Sequence, residues 1–263
     1  MSPLDAHAWV APLLRAPHRV LFLDYDGTLV PLQPDPAAPI DAAAPDASLR
    51  SLLADLRSLP DTDVHIVSGR DRHTLGRWLG SARLSLHAEH GVVSRSPRGR
   101  QWRTTVDVPP VPASMRRALA RAVKELPGTW IEWKPTGAVW HWRGAQGDAA
   151  PDDALRIAVA LVDALSGSAW RVVPGRRMIE IRPAAAGKGG TVTRILGEHR
   201  AARRQPAILV AGDDTADLEM FRAAGRGALR VAVGRRLPGA SARVRDVSAF
   251  REGLATLIAK LRR

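Results

Sequence analysis

Two carboxylates stand one residue apart in Asp24-Tyr25-Asp26-Gly27-Thr28, directly after the apolar run Val20-Leu21-Phe22-Leu23. Acids held that close repel each other unless a cation, a shared proton or a lysine offsets the charge. The pair suits phosphoryl transfer, in which one carboxylate attacks phosphorus and the other handles a proton. A calcium loop would need further acids before its glycine and a closing glutamate, and this segment has neither. Two later stretches offer partners. Lys188 opens an expected helix, where the positive end of the helix dipole disfavours it, so something anionic should compensate. Gly212-Asp213-Asp214-Thr215-Ala216-Asp217 is a second acidic cluster, again placed after an apolar run.

An apolar run without alternation is the pattern of a strand buried on both faces of a parallel sheet. Open α/β sheets bind ligands beyond the carboxyl ends of such strands. Val64-His65-Ile66-Val67 is another such run and ends in Ser68-Gly69-Arg70. Residues 84–88 form a third, leading to Glu89-His90-Gly91, and residues 207–211 and 229–233 give two more. Helical spacing is expected over 4–16, after Asp46 as cap at Leu49, Leu52, Leu53 and Leu56, over 71–79, from Lys188 through Leu196, over 218–223 and over 249–261. The proline-rich stretch 31–45 is expected to be a loop running over the mouth of the site.

From about 107 to 183 the pattern changes. Pro109, Pro110 and Pro112 mark a linker. A helix over 114–126 precedes strands near 129–134 and 138–143. A second helix over 154–165, capped by Asp152 or Asp153, precedes strands near 169–173 and 177–182. This is a weak internal repeat of helix–strand–strand. Alternation puts Ile131 and Trp133, Trp140 and Trp142, and Ile179 and Ile181 on one greasy face. It puts Glu132 and Lys134, His141 and Arg143, and Glu180 and Arg182 on a polar face that can serve as a platform over the core's site. Trp133, Trp140 and Trp142 are expected in the core, and Trp130 on the polar face as the stacking candidate.

The chain has 263 residues, 45% of them hydrophobic, enough for one large α/β core with an insert. The net charge of +13 is spread along the chain and favours an anionic substrate more than a nucleic acid. With no cysteine there is no disulfide framework and no cysteine metal site. No leader pattern and no membrane-spanning stretch stand out, so a cytoplasmic protein with no membrane or nucleic-acid partner is expected, with a monomer as the expected state.

The pentapeptide Asp24-Tyr25-Asp26-Gly27-Thr28 resembles the first motif of the haloacid-dehalogenase-like phosphatases. Ser68-Gly69-Arg70, Lys188 and Gly212-Asp213-Asp214 follow in the order of the second, third and fourth motifs. With the insert between the second and third, the layout resembles the trehalose-6-phosphate phosphatases. Glu89-His90-Gly91, the set Lys134, Gly137, His141 and Arg143, and Glu180-Ile181-Arg182-Pro183 with Lys188-Gly189 carry that likeness. The resemblance implies an α/β fold: a Rossmann-like parallel-sheet core with helices on both faces, residues 1–106 and 184–263, plus a smaller inserted α+β cap of type 2, residues 107–183.

It also implies Mg2+-dependent hydrolysis of trehalose 6-phosphate to trehalose and phosphate through an aspartyl-phosphate, the final step of trehalose biosynthesis. Asp24 would be the nucleophile and Asp26 the acid and base. Ser68, Lys188 and backbone N–H groups near Gly27 would hold the phosphoryl oxygens. The metal would fall to Asp24, the backbone carbonyl of Asp26 and Asp213, with Asp214 and Asp217 orienting its waters or Lys188. Gly27, Thr28, Gly69, Arg70, Glu89 and His90 in the core, and Lys134, His141, Arg143 and Glu180 in the cap, would bind substrate. The family's usual Thr-Asp-Glu is here Ala216-Asp217-Leu218, which keeps one acid and loses its neighbours. A different sugar-phosphate or glucosyl/mannosyl-3-phosphoglycerate phosphatase, and a catalytically silent anion-binding regulator, are the alternatives.

Overall fold

The computed structural model describes residues 8–33, 39–145, 150–175 and 177–263. The chain divides into two compact units, Met1–Thr105 with Gly187–Arg263, and Val106–Ala186. The first stretch of the larger unit holds α1 (Ala11–Leu14), β1 (Arg19–Leu23), α2 (Ala47–Ser58), β2 (Thr62–Val67), α3 (Arg72–Leu79), β3 (Ser85–Ala88), β4 (Val93–Arg95) and β5 (Arg103–Thr104). The smaller unit holds α4 (Ala113–Glu125), β6 (Trp130–Lys134), β7 (Gly137–His141), α5 (Ala150–Leu165), β8 (Trp170–Gly175) and β9 (Met178–Pro183). The chain returns to the larger unit with α6 (Lys188–Ala201), β10 (Ala207–Gly212), α7 (Leu218–Ala224), β11 (Leu229–Val233), β12 (Ala242–Val244) and α8 (Val247–Leu261).

The larger unit is built on one sheet in the order β12-β11-β10-β1-β2-β3-β4-β5. It is parallel from β12 to β3, and β4 and β5 close one edge antiparallel. All five residues of β1 are buried, as a central strand covered on both faces requires. Val20, Phe22 and Val210 pack with Val192 and Ile195 of α6 and Met220 and Phe221 of α7. Leu21 and Leu23 alternate to the opposite face, on which α2 packs against α8. Each fully buried side chain of this size contributes about 1.5–3 kcal/mol. Acidic caps start three helices: Asp46 accepts the Leu49 N–H at 2.6 Å, Asp71 accepts the His73 and Thr74 N–H groups at 2.8 and 3.0 Å, and Asp246 accepts the Ala249 N–H at 2.9 Å.

Register positions the site. Leu23 of β1 lies opposite Ala211 on one side and Ile66 on the other. The three strands therefore end level, and Asp24, Ser68 and Asp213 leave the same edge of the sheet.

The structure departs from the expected elements in several places. The first helix is a 3-10 turn over Ala8–Val10 continuing into the one-turn α1, and residues 4–7 lie outside the described ones. In the stretch 31–45, residues 34–38 are likewise outside, and Ile40–Ala43 forms a 3-10 turn rather than open loop. Its Ala43 carbonyl accepts the Tyr25 hydroxyl at 2.8 Å, and Asp41 accepts the Trp78 indole N–H at 3.0 Å. The strands β4, β5 and β12 were not expected, because two or three residues are too few to show a period.

The smaller unit has the antiparallel sheet β6-β7-β9-β8, two helix–strand–strand halves joined through β7 and β9. Trp140, Ile179 and Ile181 pack with Met115 and Leu119 of α4 and Ile157 and Leu161 of α5. Ile131 and Trp142 pack partly buried against them. Trp133 corrects the expected core: it is 46% exposed, because β6 is the sheet's edge and what covers the ring there is the Arg116 guanidinium, 5.1 Å from its centroid. Asp152 and Asp153 fall in the first turn of α5 rather than before it.

Candidate active site

Asp24 follows β1 and is buried. One of its oxygens accepts from the Lys188 Nζ at 2.5 Å, and the other from the Thr28 hydroxyl at 3.3 Å. Lys188 also donates to Asp217 Oδ1 at 2.7 Å. These two carboxylates supply the anions that a buried lysine at a helix N-terminus requires. The second oxygen of Asp217 accepts the N–H groups of Asp213 and Asp214 at 2.9 and 3.0 Å. Asp217 is fully buried and spends both oxygens fixing Lys188 and the turn that carries Asp213.

Asp24, Asp213 and Asp217 each bring an oxygen within 4.8 Å of the others. Burial, then Asp217, pushes the Asp24 carboxyl well above the usual range, with Lys188 opposing. Burial and Asp217 push Asp213 up to about 6. Burial would lower Lys188, yet Asp217 and Asp24 hold it above its ordinary value, so it is an ammonium. One ammonium serves three carboxylates, and the cluster is short of positive charge. Hard oxygen donors with that deficit fit a divalent cation such as Mg2+.

Gly27 makes the cluster possible. Its φ is +85°, and a Cβ there would overlap the Asp213 carboxyl. Two of the backbone N–H groups near Gly27 are engaged within the turn itself. The Gly27 N–H donates to the Val30 carbonyl at 2.7 Å, and the Thr28 N–H to Tyr25 at 3.4 Å. Both close the turn, and the Thr28 hydroxyl donates to Asp24 at 3.3 Å.

Two further expected roles change. Arg70 grips Asp26 with both arms of its fork, at 2.9 and 2.7 Å, and lies 5.3 Å from the Trp78 ring centroid. It is therefore a holder of Asp26, and the Asp26 side chain belongs to that pair rather than to the carboxylate cluster. Asp214 turns away: its Oδ1 accepts from the Thr215 N–H at 2.6 Å and from Arg235 at 3.0 Å, at an exposed position. It is not among the three clustered aspartates.

Ser68 is buried after β2. Its Oγ accepts the Arg70 N–H at 3.1 Å, which leaves its proton to donate. The Glu89 N–H bonds the Arg70 carbonyl and the His90 N–H bonds the Ser68 carbonyl, each at 2.9 Å. Glu89, His90 and Gly91 have φ of 53°, 56° and 87°. Two successive non-glycine residues in the left-handed region are costly and persist only where the surrounding structure holds them. A Cβ on Gly69 would lie 2.7 Å from the His90 ring, so that glycine admits the imidazole.

Lys134, His141, Arg143 and Glu180 belong to the smaller unit. There Lys134 donates to Glu180 at 3.4 Å, and His141 meets Glu132 at 3.0 Å. The Trp130 ring stacks on His141 with centroids 4.0 Å apart. Arg143 lies in the turn after β7, not on the strand as expected. The Arg70–Asp26 pair is not legible in the sequence. The two residues are 44 positions apart and no local pattern links them.

A parallel sheet with helices on both faces, a buried aspartate after its central strand, a lysine at the start of a later helix and a second acidic turn after a later strand define the haloacid-dehalogenase-like class. A model of the trehalose-phosphatase family matches residues 22–247. A bifunctional trehalose-6-phosphate synthase/phosphatase of Thermoproteus tenax is 36% identical over 100% of this chain and 34% of its own length. A trehalose-phosphatase of Schizosaccharomyces pombe is 33% identical over 79% of this chain and 26% of its own. The solved C-terminal domain of the trehalose-6-phosphate phosphatase of C. albicans superimposes with a TM-score of 0.83 at 26% identity, covering 97% of this chain and 98% of that one. The chain belongs to the trehalose-phosphatase family. It spans about a quarter to a third of the length of these two curated relatives.

Proposed function

We propose that this protein hydrolyses trehalose 6-phosphate to trehalose and phosphate, with Mg2+ bound and through an aspartyl-phosphate, in the cytoplasm. The observation that carries this reading is the Asp24–Lys188–Asp217 ion cluster beside Asp213, at the carboxyl edge of the sheet, in a chain of this family. Asp24 and Asp213 would hold the metal, with Asp217 behind them. When bound, the cation supplies positive charge to the phosphoryl oxygens and lowers the repulsion met by the attacking carboxylate.

In this reading the Asp24 oxygen forms a bond to phosphorus while the bond to the sugar oxygen breaks. Asp26 delivers a proton to that leaving oxygen, then takes one from the water that cleaves the acyl phosphate. Ser68 donates its hydroxyl proton, and Lys188 its charge, to the phosphoryl oxygens. The Arg70 fork keeps Asp26 in one orientation between the two proton transfers. Sugar recognition is assigned to the polar groups of the smaller unit, Lys134, His141, Arg143 and Glu180. Support comes from a face carrying donors and acceptors on adjacent strands.

Phosphate release from trehalose 6-phosphate, measured with Mg2+ and with EDTA beside a panel of other sugar phosphates, tests the reading. Turnover only with metal, and highest kcat/KM on trehalose 6-phosphate, is expected. A faster phosphoglycerate ester would reassign the substrate. Asp24→Asn should reduce kcat by roughly 10³-fold or more with melting unchanged or raised, since it removes one of the crowded charges. Residual turnover near wild type would remove the covalent step.

A further inference from the structure

The larger unit holds a cavity of about 770 Å³ that none of the proposed catalytic groups lines. That is the size of a small-molecule site. Its walls are β2, β3, the segment from β4 through β5, and the far turns of α6. Arginines dominate it. Arg95, Arg100, Arg103, Arg194 and Arg204 line it, against the carboxylates Asp63 and Glu198. Both acids are engaged, Glu198 with Arg194 at 2.9 Å and Asp63 with the His199 ring at 3.5 Å. Arg100, Arg103 and Arg204 have no carboxylate partner among the described residues.

A line of hydrogen bonds runs through the wall. Arg194 Nη2 donates to Ser94 Oγ at 3.4 Å, Ser94 Oγ meets His87 Nδ1 at 2.7 Å, and His87 Nε2 meets His65 Nδ1 at 3.0 Å. Burial holds both rings neutral, His65 down to about 3 and His87 well below its usual value, so each has one N–H. A guanidinium only donates. If the Ser94 hydroxyl donates to His87 Nδ1, His87 donates from Nε2 to His65, and His65 carries its own N–H on Nε2. The opposite polarity aims two donors at Ser94 Oγ and leaves the serine proton no acceptor in the line. His65 Nε2 is buried and has no hydrogen-bond partner among the described residues. The line thus ends on a donor, in a ring that lines the cavity.

We propose that this cavity is a second ligand site, for a phosphorylated small molecule of sugar-phosphate to nucleotide size. The guanidinium groups meet its phosphoryl oxygens, and Arg194 couples the ligand to the buried serine–histidine line behind it. The site is built on the elements that deliver the catalytic groups. α6 begins at Lys188 and carries Arg194, β2 runs on to Ser68, and β3 runs on to Glu89. A bound ligand therefore bears on three parts of the candidate active site, and turnover is expected to respond.

The test is calorimetric titration in EDTA, where the metal-free aspartate cluster repels anions, so the outcome does not depend on phosphatase activity. Glucose 6-phosphate, ATP and inorganic phosphate are compared as probes, with a short single-stranded oligonucleotide as control. One of the two organic phosphates should bind at one site per chain, and which one identifies the source. Arg103→Glu with Arg204→Glu, at exposed positions, should weaken it by about tenfold or more with circular dichroism and melting retained. In the wild type the ring resonances of His65 and His87 should shift during the titration. No binding by either organic phosphate, equal binding by inorganic phosphate, equal binding by the double variant, unmoved histidine signals, or tighter binding of the oligonucleotide would each overturn the proposal.

Discussion

Arg70 and Asp26 show how one residue's role depends on what its neighbour lacks. A bidentate guanidinium–carboxylate pair fixes both distance and plane, so Arg70 sets the direction in which Asp26 can move a proton. Arg70→Lys keeps the charge and loses the fork. A fall in kcat of roughly tenfold to a hundredfold with KM little changed is expected, because the side chain faces Asp26 rather than substrate. A raised KM with unchanged kcat would return Arg70 to substrate binding. Gly27 is constrained as tightly. An alanine there meets both the left-handed backbone and the Asp213 carboxyl, so Gly27→Ala should cost about 1 kcal/mol or more and displace Asp213. Melting curves with and without Mg2+ separate the two effects: the metal-induced gain should shrink along with the basal stability. Leu218, where the family usually has its glutamate, packs partly buried against the α6–α7 cluster. Asp217, its neighbour, already has both oxygens occupied, so the site's ammonium is held without that second acid.

At the scale of elements, the buried strands were plain in the sequence because a central parallel strand is apolar at every position, and β1 is buried at all five. Lys188 was legible as an anomaly at a helix start, and its carboxylates are where that anomaly required them. The edge strands β4 and β5 were hidden by their length and their Arg and Ser content. Trp133 misled because alternation tells which face a side chain takes, not whether a helix reaches far enough to cover it. The partners of Asp26 and Asp214 were also hidden, since Arg70 and Arg235 meet them only through tertiary packing. His65 and His87, inside β2 and β3, looked like ordinary strand residues and are two buried neutral rings. Their native pKa values lie below the unfolded value of 6.5, with His65 at about 3. The unfolded chain therefore binds more protons in that interval, and their contribution to stability is present above pH 6.5 and lost as pH falls toward 3. Each ring contributes a slope of up to about 1.4 kcal/mol per pH unit. His65→Gln should flatten the dependence of the urea midpoint on pH between those limits. An unchanged slope would mean that the rings titrate normally.

For the whole molecule, the carboxylate cluster and the histidine pair pull stability in opposite directions over the same pH interval, and a metal separates them. Asp213 has an ordinary value of 3.8 and a native one of about 6. Between these the native state holds the extra proton, so its contribution is fully present below 3.8 and lost as pH rises through about 6. A divalent cation competes with that proton and relieves the repulsion that raised the pKa. The stabilisation that Mg2+ gives should therefore be nearly absent around pH 4 and grow as pH passes through 6. At a hundred times its dissociation constant the cation adds about 2.7 kcal/mol, which for a protein of this size raises the melting temperature by roughly 5–10 °C. The histidine contribution is common to both arms and cancels when melting with Mg2+ is subtracted from melting with EDTA at each pH. The metal should act on the larger unit's transition, since all three clustered aspartates belong to it. A metal-induced shift that is flat from pH 4 to 8 would mean that the cation binds elsewhere than at Asp24 and Asp213, and Asp213→Asn, which should abolish the shift, would then leave it in place.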